Sequence, residues 1–253
     1  MRQDYKSHAD LEIAVIGDYQ IGKSTLVNCL IGYNGAEVGR GVSTTHELRS
    51  YAIGDGISIV DTPGFNAPNE GGQSDEREAM AAIKRAFAVV VVLTQSMGVR
   101  CKTVIDAALH QGKRCFVVYN CRDRNWWSPQ ECEDIRLSIE ADLKNSGRGD
   151  SFIKADGISV YSINVLWASY GLGLLTDEKE IKKIRNYAYG DLEVDRHSDL
   201  RTEMLLQSRF TEVCNRIRQL PLVALSDFVS NRQFLKRTIT ERFAQVLTER
   251  SAG

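Results

Sequence analysis

Apolar positions along the chain alternate between two spacings. Leu11–Gly17 is a short, continuous apolar run ending in glycine, the pattern of a strand buried on both faces of a parallel sheet. Lys23–Ile31 follows with helical spacing. His46–Ile53 alternates polar and apolar residues, as an edge or half-buried strand does. Gly54-Asp55-Gly56 is a hairpin turn signal, and Ile57–Val60 is the strand after it. Ser74–Arg85 reads as a helix and Ala86–Thr94 as a β-branched buried strand. Thr103–His110 reads as a helix with Gly112 as its stop, and Cys115–Tyr119 as another buried strand. Ser128-Pro129 opens a helix with proline at a tolerated first-turn position, and Gly157–Ser162 is the last strand.

This rhythm predicts an α/β fold: a mostly parallel sheet in three layers, helices on both faces, and one antiparallel pair at the Gly54–Gly56 turn. Beyond about residue 165 the strand signal ends. Asp177–Tyr187, Asp199–Leu220 and Leu222–Thr248 look helical, with Pro221 as a break. The expected organisation is an α/β domain over 10–170 and a helical C-terminal extension over 171–253. Leu206, Phe210, Val213, Ile217 and Leu220 recur at helical spacing. Such a face either packs on the parent domain or takes a partner or second copy.

Composition narrows the class only slightly. The formal net charge of -1 gives no global attraction to nucleic acid or membrane, and neither association is readable from the chain. The polar N-terminus MRQDYKSHAD lacks the apolar stretch of a signal peptide, and the most apolar run, around residues 86–93, is too short to span a bilayer. Six scattered cysteines make no CxxC pair and no zinc spacing with histidine, so the expectation is reduced core thiols in a soluble cytoplasmic protein.

The candidate chemistry begins with Gly17-Asp18-Tyr19-Gln20-Ile21-Gly22-Lys23-Ser24-Thr25, which matches GxxxxGK[ST] between a strand and a helix. The glycines let backbone N–H groups approach phosphate oxygens, and the helix N-terminus adds positive potential. Lys23 is expected to reach the β- and γ-phosphates, and the Ser24 hydroxyl to ligate Mg²⁺. Asp61-Thr62-Pro63-Gly64 ends a strand, where α/β sheets bind ligands. There Asp61 can hold a Mg²⁺ water and the Gly64 N–H can sense the γ-phosphate.

A phosphate loop, a threonine pair and DTPG together resemble the translation-factor-related class of P-loop GTPases, most closely its Era/TrmE-like and dynamin-like branches. The likeness covers roughly residues 10–170. It implies GTP and GDP as ligands, Mg²⁺ as the metal, and GTP hydrolysis as the reaction. The stretch Gly41-Val-Ser-Thr44-Thr45-His46-Glu47 resembles the first switch, with Thr45 as the Mg²⁺-ligating threonine, Thr44 as the alternate, and His46 where the family has arginine. Ser24, Thr45 and Asp61 are thus the expected metal set. Asn120-Cys121-Arg122-Asp123 resembles the guanine box NKxD, with Cys121 at the lysine position. Asp123 would accept from guanine N1–H and the exocyclic amine, and Asn120 would tie this loop to neighbouring backbone. Arg122 or Arg124 could partly substitute for the lysine. Tyr161-Ser162-Ile163-Asn164 resembles the SA[KL] box, with Ser162 and Ile163 as candidates to read guanine O6 through a backbone N–H.

For catalysis the resemblance gives Lys23, Thr45 and Gln20. Phe65 follows DTPG where many relatives carry a water-orienting glutamine, and a phenyl ring can make no such hydrogen bond. Gln20 occupies the loop position that helps potassium-stimulated relatives hold a monovalent cation such as K⁺. It either offers its amide oxygen to that cation, orders the water, or faces solvent. Arg40 is a candidate cation in cis or a solvated loop residue. The segment from Phe65 to Ser74 is expected to be a second switch, and the Trp126-Trp127 pair to pack inward with one ring and expose the other. Slow turnover, stimulated by a homodimer or a protein partner, is the resulting expectation. A nucleotide-gated binding module with negligible hydrolysis is the competing one.

Overall fold

The computed structural model describes residues 11–38, 48–54, 56–64, 72–94, 99–121, 128–145, 158–190 and 199–222. Contacts divide the chain into two compact units, Met1–Cys214 and Asn215–Gly253. In the first unit the elements run β1 (Leu11–Gly17), α1 (Lys23–Ile31), β2 (Arg49–Gly54), β3 (Ile57–Asp61), α2 (Gly72–Arg85), β4 (Ala88–Leu93) and α3 (Val99–His110). They continue with β5 (Arg114–Asn120), α4 (Pro129–Asn145), β6 (Ile158–Ile163), α5 (Val165–Gly171), α6 (Glu178–Gly190), α7 (Leu200–Gln207) and α8 (Phe210–Arg218), the last of which crosses into the second unit.

The six strands form one sheet in the order β2-β3-β1-β4-β5-β6. All neighbouring pairs are parallel except β2 and β3, which pair antiparallel around the expected glycine turn. The fold is thus the mostly parallel, helix-covered sheet that the sequence predicts. β1, β3 and β4 are buried along their inner lengths because helices cover both faces, so a continuous Val/Ile run replaces strict alternation. Ala14, Ile16, Val89, Val91 and Val117 form one core with Ala79 and Ile83 of α2 and Val104 and Ile105 of α3. Successive strand residues face opposite ways, so Ile13, Val15 and Val90, all fully buried, point to the other layer, which contains α1.

A second core lies outside this sandwich. Trp167 and Tyr170 of α5 pack with Ile184 and Ala188 of α6 and Leu200 and Met204 of α7, all buried. No apolar spacing marks α5, which is only seven residues long and starts two residues after β6. Asn164 makes this abrupt change possible: its side chain accepts from the Trp167 N–H as an N-cap.

One boundary holds and two differ, each for local reasons. α4 starts at Pro129 as anticipated, closed by a reciprocal capping pair: Ser128 N–H donates to Glu131 Oε2 at 2.6 Å and Glu131 N–H to Ser128 Oγ at 3.2 Å. The helix expected over Asp199–Leu220 is instead two helices, with Arg209 left-handed at φ 57 between them. The Ser208 hydroxyl donates to Leu205 O and accepts from Phe210 N–H, which ends one helix and starts the next. That corner also removes Leu206 from the apolar face: Phe210, Val213, Ile217 and Leu220 are buried, whereas Leu206 is 60% exposed. Finally, α3 begins at Val99, a turn earlier than its apolar spacing suggested. Among the described residues no helix is long and apolar enough to cross a membrane, and all six cysteines are free thiols.

Candidate functional site

Strand register sets the site's frame. Gly17 pairs with Val92, Asp61 with Val15, and Asn120 with Ile163, so the turns leaving β1, β3, β5 and β6 all emerge at one edge of the sheet. Because β3 and β4 flank β1 on opposite sides, the connections diverge there, where open α/β sheets bind ligands.

The chain leaves β1 at Gly17 and enters α1 at Lys23 through a tight loop. A Cβ at Gly17 would lie 2.5 Å from the Val92 carbonyl oxygen and 2.5 Å from Ile21 Cδ1. Gly22 is left-handed at φ 96, and a Cβ there would fall 2.6 Å from Asn120 Nδ2. Gln20 is exposed and also left-handed, at φ 59, which for a non-glycine residue costs on the order of 1–2 kcal/mol. No side chain caps α1, and its first turn holds no acid. The backbone N–H groups of that helix end thus keep no side-chain cap, which suits an anion.

Lys23 is buried at 7% exposure, and its Nζ donates to the Asp18 carbonyl at 2.6 Å. Burial lowers its ammonium to about 8, against the opposing pull of Asp61 and Asp18. A Cβ on Gly64 would stand 2.9 Å from Lys23 Nζ and 2.9 Å from Tyr19 Cα, so the turn after β3 lies directly on the phosphate loop. Ser24 Oγ donates to Asp61 Oδ2 at 3.0 Å. Asp61 is 1% exposed, and desolvation raises its carboxyl to about 6 although Ser24 and Lys23 favour the charged form. Thr62, fully buried, fixes the turn by donating to Val15 O at 2.8 Å.

Asp61 Oδ1 is buried and has no hydrogen-bond partner among the described residues. A carboxylate oxygen left over beside a hydroxyl is a hard oxygen donor pair, and it fits a small divalent cation such as Mg²⁺. Thr25 lies one residue further along α1, partly buried, and Ile21 is 8% exposed in the loop. Cys101 of α3 stands close enough to Asp18 and Lys23 for their charges to interact, and burial pushes its thiol up to about 11. No sequence motif marks it, because its approach to the loop depends on how α3 docks.

At the far side of the edge, Asn120 is 4% exposed and bonded in two directions. Its Nδ2 donates to Ile21 O at 2.8 Å, and its Oδ1 accepts from Val165 N–H at 3.1 Å. One amide therefore joins the phosphate loop to the turn after β6. Ser162 and Ile163 are buried at 2% and 0%. Cys121 Sγ lies 3.1 Å from Ser162 Oγ. Arg40, Thr44, Thr45, His46, Phe65, Arg122, Asp123, Arg124, Trp126 and Trp127 lie outside the described residues. Lys23, Ser24, Asp61 and Gly64 are thus brought together, and Asn120, Ser162 and Ile163 form a second group joined to them through Ile21.

Residues 12–121 match the family model described as 50S ribosome-binding GTPase. The chain is 38% identical over 68 residues to the small ribosomal subunit biogenesis GTPase RsgA of Parasynechococcus marenigrum, which covers 24% of this chain and 23% of that protein. It is 29% identical over 119 residues to GTPase Der of Staphylococcus aureus, covering 44% of this chain and 27% of that protein. The chain thus spans about a quarter of the length of these curated relatives. Among solved structures it is similar to Aquifex aeolicus Era bound to GDP and AlF4-, at 20% identity and a TM-score of 0.43, over 70% of this chain and 56% of that one. Sheet order, phosphate loop and DTPG turn agree with the family match: the chain has the fold of a P-loop GTPase domain, and over residues 12–121 it is similar to the 50S ribosome-binding GTPase family.

Proposed function

We propose that this protein binds GTP and GDP with Mg²⁺, hydrolyses GTP to GDP and phosphate, and acts as a nucleotide-dependent switch. The observation that carries the reading is the convergence of Lys23, Ser24, Asp61 and Gly64 at an uncapped helix N-terminus. Backbone N–H groups of Gly17–Thr25 and the Lys23 ammonium hold the phosphates. Lys23 exchanges the Asp18 carbonyl for phosphate oxygens, a stronger, charge-assisted partner. Ser24, Asp61 and Thr45 would hold Mg²⁺, which when bound neutralises charge on the β- and γ-phosphate oxygens. Gly64 abuts both Lys23 and Tyr19, so a γ-phosphate entering there presses on the DTPG turn, and this is the switching contact. Asp123 reads the guanine base, and a backbone N–H at Ser162 or Ile163 reads its O6. Gln20, at the exposed crown of the loop, offers its amide to K⁺ or to the attacking water.

Phe65 favours a second reading: a nucleotide-gated module with negligible hydrolysis that recruits a protein partner through its helical tail. A homodimer or partner supplying the missing water-orienting group reconciles the two. The six free thiols suit a cytoplasmic setting.

The test is titration of nucleotide-free protein with GTP, GDP, XTP and ATP in Mg²⁺, beside Asp123→Asn. Guanine preference in the wild type and a shift toward XTP in the variant support the reading. Equal binding of ATP, or an unchanged base preference in the variant, refutes it. Turnover in K⁺ and in Na⁺, with Gln20→Ala, then separates enzyme from binding module and tests the cation role.

A further inference from the structure

The residue that departs from the guanine-box pattern, Cys121, is built into the structure at two points. Its backbone N–H donates to Ile163 O at 2.8 Å, extending the β5–β6 ladder by one bond. Its Sγ lies 3.1 Å from the hydroxyl of Ser162, itself 2% exposed. Its neighbour Asn120 accepts from Val165 N–H on the same turn. The Cys132 thiol of α4 also interacts with the Ser162 backbone.

We propose that Cys121 is a positioning residue for base recognition: its thiol, paired with the Ser162 hydroxyl, holds the two base-reading segments in register. A lysine at this position would act on the base itself. A thiol is too short for that, and here its polar contact goes to the neighbouring segment. This rests on the guanine-binding reading above and assigns the departure from NKxD a role in specificity. A brace of this kind acts on base recognition and leaves the phosphate loop unchanged, so its loss should lower the preference for guanine over adenine without weakening phosphate binding.

The experiment measures GDP and ADP dissociation constants in Mg²⁺ for the full chain and for Cys121→Ala, Cys121→Ser, Ser162→Ala and the Cys121→Ala/Ser162→Ala double variant. Cys121→Ala should weaken GDP by about threefold to tenfold, the range of one ordinary hydrogen bond, and ADP by less than about twofold. Cys121→Ser, which keeps a donor and an acceptor there, should recover GDP affinity to within about twofold. The double variant should lose no more than the larger single loss, because both changes remove one contact. Unchanged GDP affinity in Cys121→Ala, equal loss in the serine variant, equal loss for ADP, or multiplying losses in the double variant would each overturn the proposal. Should Cys121→Ala fail to fold, Ser162→Ala removes the same brace from the other side and must show the same loss of selectivity. A wild type that binds GDP and ADP alike removes the guanine reading and the brace with it. Wild-type selectivity with silent variants removes the brace alone.

Discussion

Ser24 Oγ donates to Asp61 Oδ2 at 3.0 Å, joining the start of α1 to the end of β3 across 37 positions of sequence. The bond uses one carboxylate oxygen and leaves the other buried without a partner among the described residues. Burial thus makes this carboxylate costly to ionise, and a cation beside it favours its charged form.

Nucleotide affinity should therefore have two pH limits. Asp61, raised to about 6, protonates below that value and no longer serves a metal. Lys23, lowered to about 8, loses its charge above that value and no longer attracts phosphate. The expected outcome is tightest Mg·GDP binding between pH 6 and 8, weakening by up to about tenfold per pH unit on either side. Equilibrium titrations from pH 5 to 9.5 check this, and a flat profile across that range contradicts it.

Asp61 should also weaken the nucleotide-free fold. Its folded value of about 6 exceeds the ordinary 3.8, so the folded state holds more protons between those values. Its contribution is fully favourable below about 3.8 and is lost as pH rises through about 6. Asp61→Asn should raise the melting temperature of nucleotide-free protein at pH 7, by roughly 1–3 kcal/mol in stability, and abolish stabilisation by Mg·GDP. Paired melts with and without Mg·GDP test both halves. A variant melting lower than wild type in both conditions would count against it.

Gly22→Ala combines a disfavoured φ of 96 with a methyl carbon 2.6 Å from Asn120 Nδ2. The strain and the lost Asn120 contact should cost about 2–4 kcal/mol. GDP binding should fall with it, because the same loop presents the backbone amides. Denaturant midpoints and GDP titration measure the two effects, and a neutral result in either would be inconsistent with this loop geometry.

Asn120→Ala removes a donor to Ile21 O and an acceptor for Val165 N–H, both buried. The expected loss is about 2–4 kcal/mol, since two backbone groups are left unpaired. Unlike the loss of Cys121, it should weaken GDP and ADP together, because Asn120 steadies the phosphate loop itself. A selective loss of GDP alone would mean that Asn120 acts on the base and not on the loop.

The alternation of buried runs and helical spacing was sufficient to read the parallel sheet, its one antiparallel pair and the strand–loop–helix around Lys23, because each is a local pattern of burial. GxxxxGK[ST] and DTPG were legible for the same reason: tight turns and close backbone approach restrict which residues fit. Other features were settled by contacts distant in sequence. The double tie of Asn120, the meeting of Cys121 with Ser162 and the nearness of Cys101 to Lys23 all require strands and helices to be assembled first. The Ser208–Arg209 corner was hidden because apolar spacing continues across it, and only a serine hydroxyl bonded to both sides reveals the turn. The chain's own residues thus determined which chemistry the edge of the sheet can support. Tertiary packing decided which side chains are dry, and so which carboxylate and which ammonium leave their ordinary pKa, because desolvation depends on everything that closes over a group and not on its neighbours in sequence.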